Sequence, residues 1–453
     1  MIKEQFRKYL EEAIGSENAL VAFSAFDDPA QVSVRFNPFK KRPLMEGEPI
    51  AWNRHGLLLQ ERPSFTLDPY MHGGAYYVQD SSSMFVGFIF RECLSKIDIP
   101  EDRPVRVLDL CAAPGGKSTD LAASLRERFG DRFVLVSNEV MKQRAGVLAD
   151  NMALWGDPCV TVTSDDPRAF ASCRGFFDIV VADVPCSGEG MFRKDELAQD
   201  QWSEDNVALC EARQRRILAD VWSALRQGGV MVYSTCTFNR HENDGNVAWM
   251  AEELGAECIT DEYQGRELEG VIKTRHGFSL VPGHVKGEGQ YCAALVKTSG
   301  SGRMEVPALS RKQPSVPSDF RRLVRGDVHF RVKGEMVAAV PAVCAAEVSF
   351  LESVLHVIAA GSALGVIKGK DLVPDADLAL SLVLAEDAFP SADVDRKTAL
   401  EFLHKDAIRL TDAPKGYVLI RYEGLPLGFV KNLGNRCNNL HPQGRRIRMD
   451  IRL

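Results

Sequence analysis

Five short apolar strands alternate with helical segments between Val105 and Thr237, and this alternation constrains the fold more than any other feature. The predicted strands are VRVLDL (105–110), FVLVSNE (133–139), CVTVTSDD (159–166), FDIVVADVPC (177–186) and GGVMVYSTCT (228–237). Helical patterns separate them, and the longest is predicted over 204–226. Such alternation indicates a mostly parallel, doubly wound α/β sheet. The strands are nearly continuously apolar, which is typical of a sheet that helices cover on both faces.

The predicted carboxyl ends of these strands carry reactive side chains. Parallel strands present these ends along one edge of the sheet, and ligands bind in the crevice outside that edge. The side chains there come from Asp109–Leu110, Glu139, Asp165–Asp166, Asp183–Cys186 and Thr235–Thr237. Four of these five ends carry acids and two carry cysteines. We therefore expect the functional site at this edge.

Composition excludes several other classes of protein. The 453 residues are 45% hydrophobic and 26% charged, which is typical of a globular chain. The sequence contains no run of about 18 apolar residues that would predict a membrane span. Its charged N-terminus does not resemble an export signal. We predict a cytoplasmic protein with no membrane partner, and we expect a monomer.

The cysteines and the net charge limit the kinds of partner. The eleven cysteines include no CxxC pair, so we predict neither a metal site nor a disulfide framework, but reduced thiols. The net charge of −7 lacks the basic excess of many nucleic-acid-binding proteins. Contacts with nucleic acid must therefore use local basic patches, such as the arginine-rich tail from Arg421 to Leu453.

Changes in composition divide the chain into five segments. A stretch rich in Ser, Gly and Pro predicts a linker. The predicted segments are an N-terminal subdomain at 1–95, the alternating α/β domain at 96–298, a linker at 299–319, a bridging domain at 320–385 and a C-terminal domain at 386–453.

A glycine-containing turn follows the first strand, in Asp109-Leu-Cys-Ala-Ala-Pro-Gly-Gly-Lys117. Gly115 and Gly116 would let the backbone pass close to a ligand at the start of a helix. The spacing fits neither a GxxxxGK[ST] phosphate-binding loop nor a GxGxxG dinucleotide-binding loop. A tight turn that only needs glycine would have the same sequence, so this motif does not decide the function alone.

An acid, Glu139, ends the second predicted strand. In doubly wound nucleotide-binding folds, an acid at this place accepts hydrogen bonds from ribose hydroxyls. A ribose without a phosphate-binding loop indicates a nucleoside-type cofactor such as S-adenosyl-L-methionine. Asp166, at the end of the third strand, could then hydrogen-bond the adenine amino group.

Cysteines follow the fourth and fifth strands, in Asp183-Val-Pro-Cys-Ser-Gly-Glu-Gly190 and Tyr233-Ser-Thr-Cys-Thr237. Either Cys186 or Cys236 alone would be interpreted as a buried structural thiol. Two cysteines that open on the same cleft, beside Asp183, are instead a candidate reaction centre. Asp183 could pair with the exocyclic amine and ring nitrogen of a base.

Together, CAAPGGK, DVPCSGEG and STCT resemble the motifs of the Nop/Sun-type RNA 5-methylcytosine methyltransferases. The resemblance covers about 35–297 and includes Arg35-Phe-Asn-Pro38 and Tyr77-Val-Gln-Asp-Ser-Ser-Ser-Met84, which are similar to that family's pre-catalytic segments. It implies an RNA (cytosine-5-)-methyltransferase with a Rossmann-like S-adenosylmethionine-dependent sheet at 96–298. It also implies an N-terminal α+β RNA-binding subdomain at 1–95.

The resemblance further implies a role for each matching residue. Cys236 would be the nucleophile that attacks C6 of cytosine, Cys186 would assist product release, and Asp183 would act at the reacting base. The residues that would bind S-adenosyl-L-methionine are Cys111, Ala112, Ala113, Pro114, Gly115, Gly116, Lys117, Glu139, Asp166 and Asp183. No metal is implied.

The C-terminal part carries a second resemblance. Gly424-Leu-Pro-Leu-Gly-Phe-Val-Lys431 and Arg436-Cys-Asn-Asn-Leu-His-Pro442 are similar to the tail of the F branch of bacterial 16S ribosomal RNA methyltransferases. With β-type runs such as GYVLIRYEG, it implies an α+β C-terminal region that ends in a PUA-like RNA-binding domain at 386–453. The implied partner is small-subunit ribosomal RNA or an assembly intermediate of that subunit.

Three alternatives remain open from the sequence. The same chemistry could act on transfer RNA. The chain could instead be a catalytically silent RNA-binding ribosome assembly factor, although such a factor would need neither Cys186 nor Cys236. An NAD-dependent oxidoreductase is the weakest reading, because GxGxxG is absent and both cysteines would be unexplained.

Overall fold

The protein is described by a computed structural model that covers residues 4–99, 101–194, 196–260, 268–300, 302–309, 316, 318–369 and 371–451. The predicted linker at 299–319 lies partly outside these residues. Over the ranges covered, no helix is both long enough and apolar enough to cross a membrane.

The N-terminal part is a helical pair followed by a small antiparallel sheet. Its elements are α1 (Glu4–Ile14), α2 (Ser16–Ala25), β1 (Val32–Phe36), β2 (Gly47–Ile50), β3 (Asn53–Leu59), α3 (Pro69–His72) and β4 (Tyr76–Val78). The strands lie in the order β2-β3-β1-β4. Strand β1 is therefore central, and its buried Val34 and Phe36 pack into a local apolar core.

The central part contains the alternating strands and helices. Its elements are α4 (Phe85–Lys96), β5 (Val105–Asp109), α5 (Gly116–Phe129), β6 (Phe133–Asn138), α6 (Lys142–Trp155), β7 (Val160–Thr163), β8 (Phe177–Asp183), α7 (Glu196–Gln201), α8 (Glu204–Trp222), β9 (Leu225–Thr235), α9 (Asp244–Glu253), β10 (Ala256–Cys258), β11 (Ile272–Lys273), β12 (Phe278–Leu280) and β13 (Gln290–Lys297).

The parallel strands lie in the order β7-β6-β5-β8-β9, and β13 continues the sheet antiparallel to β9. This arrangement confirms the predicted Rossmann-like α/β sheet. Strands β5 and β6 are buried along their whole length, as their apolar sequences predict. The strand order reverses between β5 and β8, so the crevice for a ligand is expected beside these two strands.

The boundary between α8 and β9 differs from the sequence prediction. The helix was predicted to reach Arg226, but it ends at Trp222, and β9 begins at Leu225 rather than at Gly228. The cause is an irregularity in the pairing of β8 with β9, where Gly228 adopts a φ of +70°. Arg226 therefore lies in the strand, and its guanidinium donates to the buried Asp178 at 2.7 Å.

Two further sheets follow in the C-terminal part. Their elements are β14 (Val328–Lys333), β15 (Met336–Pro341), α10 (Ala345–Val354), β16 (Val357–Ala360), β17 (Ser362–Lys368), β18 (Asp371–Pro374), α11 (Ala376–Leu380), β19 (Ser391–Val394), α12 (Arg396–His404), β20 (Gly416–Tyr422), β21 (Leu425–Asn432) and β22 (Cys437–Asn439). The strand orders are β14-β15-β17-β18 and β19-β20-β21-β22.

Strand β16 leaves its own segment and extends the central sheet. It pairs antiparallel with β7, with Val357 opposite Thr163 and Ala360 opposite Thr161. The amide of Ser164 also donates to the carbonyl of His356 at 3.1 Å. The edge of the central sheet is thus covered by a strand that comes about 200 residues later in the chain.

The C-terminal sheet contacts both earlier parts of the chain. The Tyr70 hydroxyl donates to the Glu423 carboxylate at 2.7 Å, and Lys41 donates to the Glu423 carbonyl at 2.6 Å. Arg445 forms ion pairs with Asp150 of α6 at 2.8 Å and with Asp377 of α11 at 2.6 Å. The C-terminal part therefore contacts the N-terminal part and helix α6 of the central part.

Substitution of Gly156, which ends α6, should destabilise the fold by disturbing its contact with α11. Gly156 has a φ of +85°, and a Cβ there would lie 2.2 Å from the Leu380 carbonyl oxygen. Gly334 has a similar φ of +63° with nothing within 4 Å of such a Cβ. We expect Gly334→Ala to lower the free energy of unfolding by about 1 kcal/mol and Gly156→Ala by about 3 kcal/mol or more. Urea denaturation measures both, and equal losses would contradict this prediction.

Candidate active site

The glycine-containing turn of residues 111–117 lies between β5 and α5. The Ala113–Pro114 peptide is cis, and Gly115 has a φ of +115°. Helix α6 supports the turn, since Arg144 donates to the Ala113 carbonyl at 2.8 Å and Asn151 donates to the Pro114 carbonyl at 2.7 Å. A Cβ on Gly115 would lie 2.8 Å from Met152, so this position requires glycine for packing as well as for its backbone conformation.

Asp109 lies beneath this turn at the end of β5 and is completely buried. The Ser118 hydroxyl donates to its Oδ2 at 2.6 Å. Its Oδ1 has no hydrogen-bond partner among the residues that the structure covers. Burial raises the pKa of Asp109 to about 7. An unpaired buried carboxylate oxygen at the ligand edge of the sheet offers an acceptor to a bound molecule.

Glu139 follows β6 and is only 3% exposed. Its carboxylate accepts from the amide of Met141 at 2.9 Å and pairs with Arg144 at 3.1 Å. By contrast, Val140 and Met141 are more than half exposed, although both are apolar. An acid beside exposed apolar side chains fits the ribose and the adenine ring of a nucleoside. With the unpaired Asp109 oxygen, these residues fit S-adenosyl-L-methionine.

The two acids after β7 do not share one environment. The Asp165 carboxylate accepts from the amide of His356 at 2.9 Å and so faces the C-terminal part. Asp166 is exposed and accepts from the amide of Arg168 at 3.1 Å, at the start of a short 3₁₀ turn. The structure therefore leaves Asp166, rather than Asp165, available at the predicted adenine side, and its role there stays a prediction.

Asp183 and Lys117 form an ion pair between the end of β8 and the start of α5. Lys117 Nζ lies 2.8 Å from Asp183 Oδ2 and donates to the Ser83 hydroxyl at 2.9 Å. Ser234 and Gln290 donate to Asp183 Oδ1 at 2.7 and 3.3 Å. Burial alone would lower the pKa of Lys117, but Asp183 raises it overall. The ammonium is therefore retained beside the cysteines.

Cys186 and Cys236 meet at this ion pair. Their sulfur atoms are 3.0 Å apart, and both cysteines are free and partly exposed. The hydrogen bond to Cys236 and burial raise the pKa of Cys186 well above its usual value. The electrostatic attraction of Cys236 contributes to the raised pKa of Lys117. The two thiols are thus in contact with each other but in different electrostatic surroundings.

Two acids that sequence reasoning did not select hold the cysteine loops together. Glu189 follows Cys186, Glu242 follows Cys236, and both carboxylates are fully buried. They accept hydrogen bonds from groups of both loops, among them Ser187 and Asn239. The available signal was an acid a few residues after each cysteine, but a loop acid is usually exposed and the pattern alone does not predict burial.

The N-terminal part reaches the site through a buried arginine. Arg35 of β1 donates to the Gln79 side chain at 2.9 Å and to the Gly116 carbonyl at 3.0 Å. It also hydrogen-bonds the Thr119 hydroxyl. Arg35 is therefore fixed to the start of α5. Across the ranges that the structure covers, no cluster of three or more His, Cys, Asp or Glu side chains could hold a metal ion.

Three family models match this chain. The 16S rRNA methyltransferase RsmB/F model matches residues 99–296, which include Cys186, Cys236 and the Lys117–Asp183 ion pair. The N-terminal domain of 16S rRNA methyltransferase RsmF matches 2–81, and the methyltransferase RsmF PUA domain matches 389–447. Residues 99–296 belong to the 16S rRNA methyltransferase RsmB/F family, and both terminal matches are to domains of RsmF. This family of RNA methyltransferases confirms the resemblance drawn from the motifs and the predicted PUA domain.

Curated relatives align with most or nearly all of the chain. The chain is 28% identical to ribosomal RNA small subunit methyltransferase F of Aliivibrio fischeri over 98% of this chain and 97% of that protein. It is 35% identical to the protein of the same name from Pectobacterium atrosepticum over 274 residues, which are 58% of this chain and 53% of that relative.

Solved structures support the fold alone. NSun6 from Pyrococcus horikoshii superposes with a TM-score of 0.54 at 18% identity, over 66% of this chain and 99% of that one. A methyltransferase homologue protein from the same organism gives a TM-score of 0.54 at 22% identity, over 65% of this chain and 95% of that one.

The buried Asp109 should make folding stability depend on pH. Its pKa is about 7 in the folded protein against 3.8 for an ordinary aspartate. The folded state therefore retains a proton that the unfolded state loses, and this group's contribution to stability falls as pH rises from about 4 to 7. At about 1.4 kcal/mol per pKa unit, the penalty above pH 7 is on the order of 4 kcal/mol.

We expect Asp109→Asn to be more stable than the unliganded native protein at pH 8, with the difference shrinking towards pH 4. Urea denaturation at several pH values measures this, with the exposed Asp387→Asn as control. A pH dependence that is identical in Asp109→Asn and native protein would contradict the prediction.

Proposed function

We propose that the protein transfers a methyl group from S-adenosyl-L-methionine to C5 of cytosine in small-subunit ribosomal RNA, through a covalent bond between Cys236 and C6 of the base. The observation that carries this proposal is the contact between Cys186 and Cys236, at 3.0 Å, beside the Lys117–Asp183 ion pair. The reaction needs a nucleophile, a group that helps it leave and a group that holds the base, and these four side chains supply all three.

The cofactor would lie against the turn of residues 111–117. Glu139 would accept from its ribose hydroxyls, and Asp166 would face its adenine. Val140 and Met141 offer the apolar surface that a purine ring requires. S-adenosyl-L-methionine supplies an electrophilic methyl group when it is bound. The solved structure of NSun6 contains SFG, an analogue of this cofactor, which supports the choice.

Cys236 would be the nucleophile. Cytosine C5 is weakly nucleophilic, and addition of a thiolate to C6 makes it enamine-like, so that covalent catalysis divides one hard step into two easier ones. The reactive form of cysteine is the thiolate. Lys117 is the cation whose charge acts on Cys236, because their attraction raises the pKa of Lys117.

Asp183 would hold the base and Cys186 would help the nucleophile to leave. Ser234 and Gln290 fix one Asp183 oxygen, and Lys117 contacts the other. The carboxylate is thus oriented for the N3 and N4 edge of cytosine, where positive charge develops on addition. Cys186 retains its proton, and its thiol can donate a hydrogen bond to the sulfur of Cys236 when the bond to C6 breaks.

Ribosomal RNA is the substrate that the comparisons favour. The relatives that align over nearly the whole chain are named for small-subunit ribosomal RNA. A PUA domain adds an RNA-binding surface, and basic side chains such as Arg421 and Arg446 lie in it. The target base must leave its stack, because C6 is otherwise shielded. We further propose that the protein acts as a monomer and meets this substrate in the cytoplasm.

The other functions considered from the sequence are less well supported. Transfer RNA would use the same chemistry, but none of the matching family models names it. A silent assembly factor would not require two free thiols in contact at the edge of the sheet. Both remain outcomes of the tests below.

The two cysteines should give opposite results on substitution. We expect Cys236→Ala to abolish methyl transfer, because no covalent bond to C6 can form. We expect Cys186→Ala to accumulate a covalent protein–RNA adduct, because departure of Cys236 is slowed. Denaturing gel electrophoresis with labelled RNA detects the adduct. Cys258→Ala, a partly exposed thiol on β10, is the control and should behave like the native protein. An active Cys236→Ala protein would eliminate the assignment.

Transfer of labelled methyl groups should distinguish the substrates. We expect label from S-adenosyl-L-methionine in 16S RNA of 30S subunits or their precursors, recovered as 5-methylcytosine after nuclease digestion. Equal or greater label in bulk transfer RNA would keep the mechanism and change the substrate. Label in a different base would refute the proposed chemistry.

A further inference from the structure

Glu242 is a fully buried carboxylate whose hydrogen-bond donors are all neutral. Its Oε2 accepts from the amide of Ser187 at 3.0 Å and from Gln214 at 2.7 Å. Its Oε1 accepts from the Ser187 hydroxyl at 2.5 Å and from Asn239 at 2.8 Å. Four donors occupy the carboxylate, and these hydrogen bonds favour its ionised form. Burial of such a charge without a neighbouring cation costs folding free energy, so a functional reason for it is expected.

The donors of Glu242 come from the segments that carry the two thiols. Ser187 is the residue after Cys186, in the loop after β8, and Asn239 lies in the loop after β9 that begins with Cys236. The second buried acid, Glu189, strengthens the same link, because it accepts from the amides of Phe238 and Asn239 at 2.7 and 3.0 Å. The network therefore fixes one cysteine loop against the other.

The same placement gives the two sulfur atoms different neighbours. The hydrogen bond to Cys236, burial, the charge of Cys236 and then the charge of Glu242 raise the pKa of Cys186. On the other side, the cation that acts on Cys236 is Lys117. Two thiols that touch are thus placed between a buried anion and a partly buried cation.

We propose that Glu242 is a positioning residue that fixes the Cys186 loop to the Cys236 loop and, through its negative charge, keeps Cys186 a thiol, so that Cys236 alone acts as nucleophile. The assignment of different roles to Cys236 and Cys186 rests on the proposed function, whereas the protonation of Cys186 can be tested without substrate. In the elimination step a base such as solvent water takes the C5 proton, the electrons of the C5–H bond form the C5–C6 double bond, and the electron pair of the bond between C6 and Cys236 returns to the Cys236 sulfur. The S–H of Cys186 then stabilises this thiolate by a hydrogen bond, without a net proton transfer.

The surroundings of Glu242 define the pH range of this effect. Its titratable neighbours are Cys186 and Glu189 from the loop after β8, Tyr233 from β9 and Cys210 from α8. Burial and the charge of Glu189 raise the pKa of Glu242 to about 7. The carboxylate is therefore charged above that pH, and the experiment is best done at pH 8.

The test is site-resolved alkylation of the full-length protein by iodoacetamide, without RNA or cofactor. Single-hit conditions and mass spectrometry report Cys186 and Cys236 separately. In the native protein at pH 8 we expect Cys236 to react about tenfold faster than Cys186 or more. In Glu242→Gln we expect alkylation of Cys186 to accelerate about tenfold, because a charge at short range shifts a pKa by about one unit or more. Equal alkylation rates of Cys186 and Cys236 in the native protein would overturn the proposal. This comparison needs no variant.

Two further variants separate charge from packing. Ser187→Ala removes one hydrogen bond to Glu242 but retains its charge, so alkylation of Cys186 should stay slow. Glu347→Gln removes a buried acid that is paired with Arg106, away from the thiols, and controls for general destabilisation. The role of the charge would be overturned by either of two results. One is that alkylation of Cys186 accelerates equally in Ser187→Ala and Glu242→Gln, and the other is that it does not accelerate in Glu242→Gln.

Steady-state kinetics connect the result to catalysis. We expect Glu242→Gln to lower kcat and to accumulate the covalent adduct, while KM for S-adenosyl-L-methionine stays unchanged. If the native protein forms no 5-methylcytosine, the proposed function fails, but the alkylation rates still decide whether Glu242 controls Cys186. The two failures are therefore distinguishable.

Discussion

The parallel pairing of β8 with β9 is the interaction on which the candidate active site depends. It places Asp183 opposite Ser234, so the two strands end at the same level of the sheet. Cys186 and Cys236 then follow within three residues of these paired positions. Because the backbone register sets this alignment, two residues that are 50 positions apart in the chain reach a sulfur–sulfur distance of 3.0 Å. The pairing of these two strands thus brings the two thiols together. The surrounding carboxylates, Lys117 and the glycine turn then set their orientation and electrostatic surroundings.

Much of this arrangement could be predicted from the sequence. Apolar runs that end in acids and cysteines predict a parallel sheet with a reactive edge, since strand periodicity and turn residues are local properties. Glu242 could not be predicted in this way, because its burial depends on Gln214 and Asn239 arriving from separate elements. The predicted end of α8 at Arg226 was wrong for a related reason. A bulge against β8 converted residues with a helical pattern into strand.

The terminal parts of the chain limit how the site can move. Arg35 fixes the N-terminal sheet to the start of α5, next to the glycine turn. Glu423 contacts the same N-terminal part from the C-terminal sheet, and Arg445 contacts α6, which supports the turn from behind. A force applied at either terminal part would therefore reach the turn of residues 111–117 through side chains that are in direct contact.

The strand β16 has a consequence for how the chain is made. Once residues up to Lys297 have emerged from the ribosome, every strand of the central sheet is available except β16, which covers the edge of β7. Until Val357–Ala360 emerges, β7 exposes an unpaired edge that can bind other extended chains. A fragment that ends after the methyltransferase fold would retain this edge permanently and would be prone to aggregate.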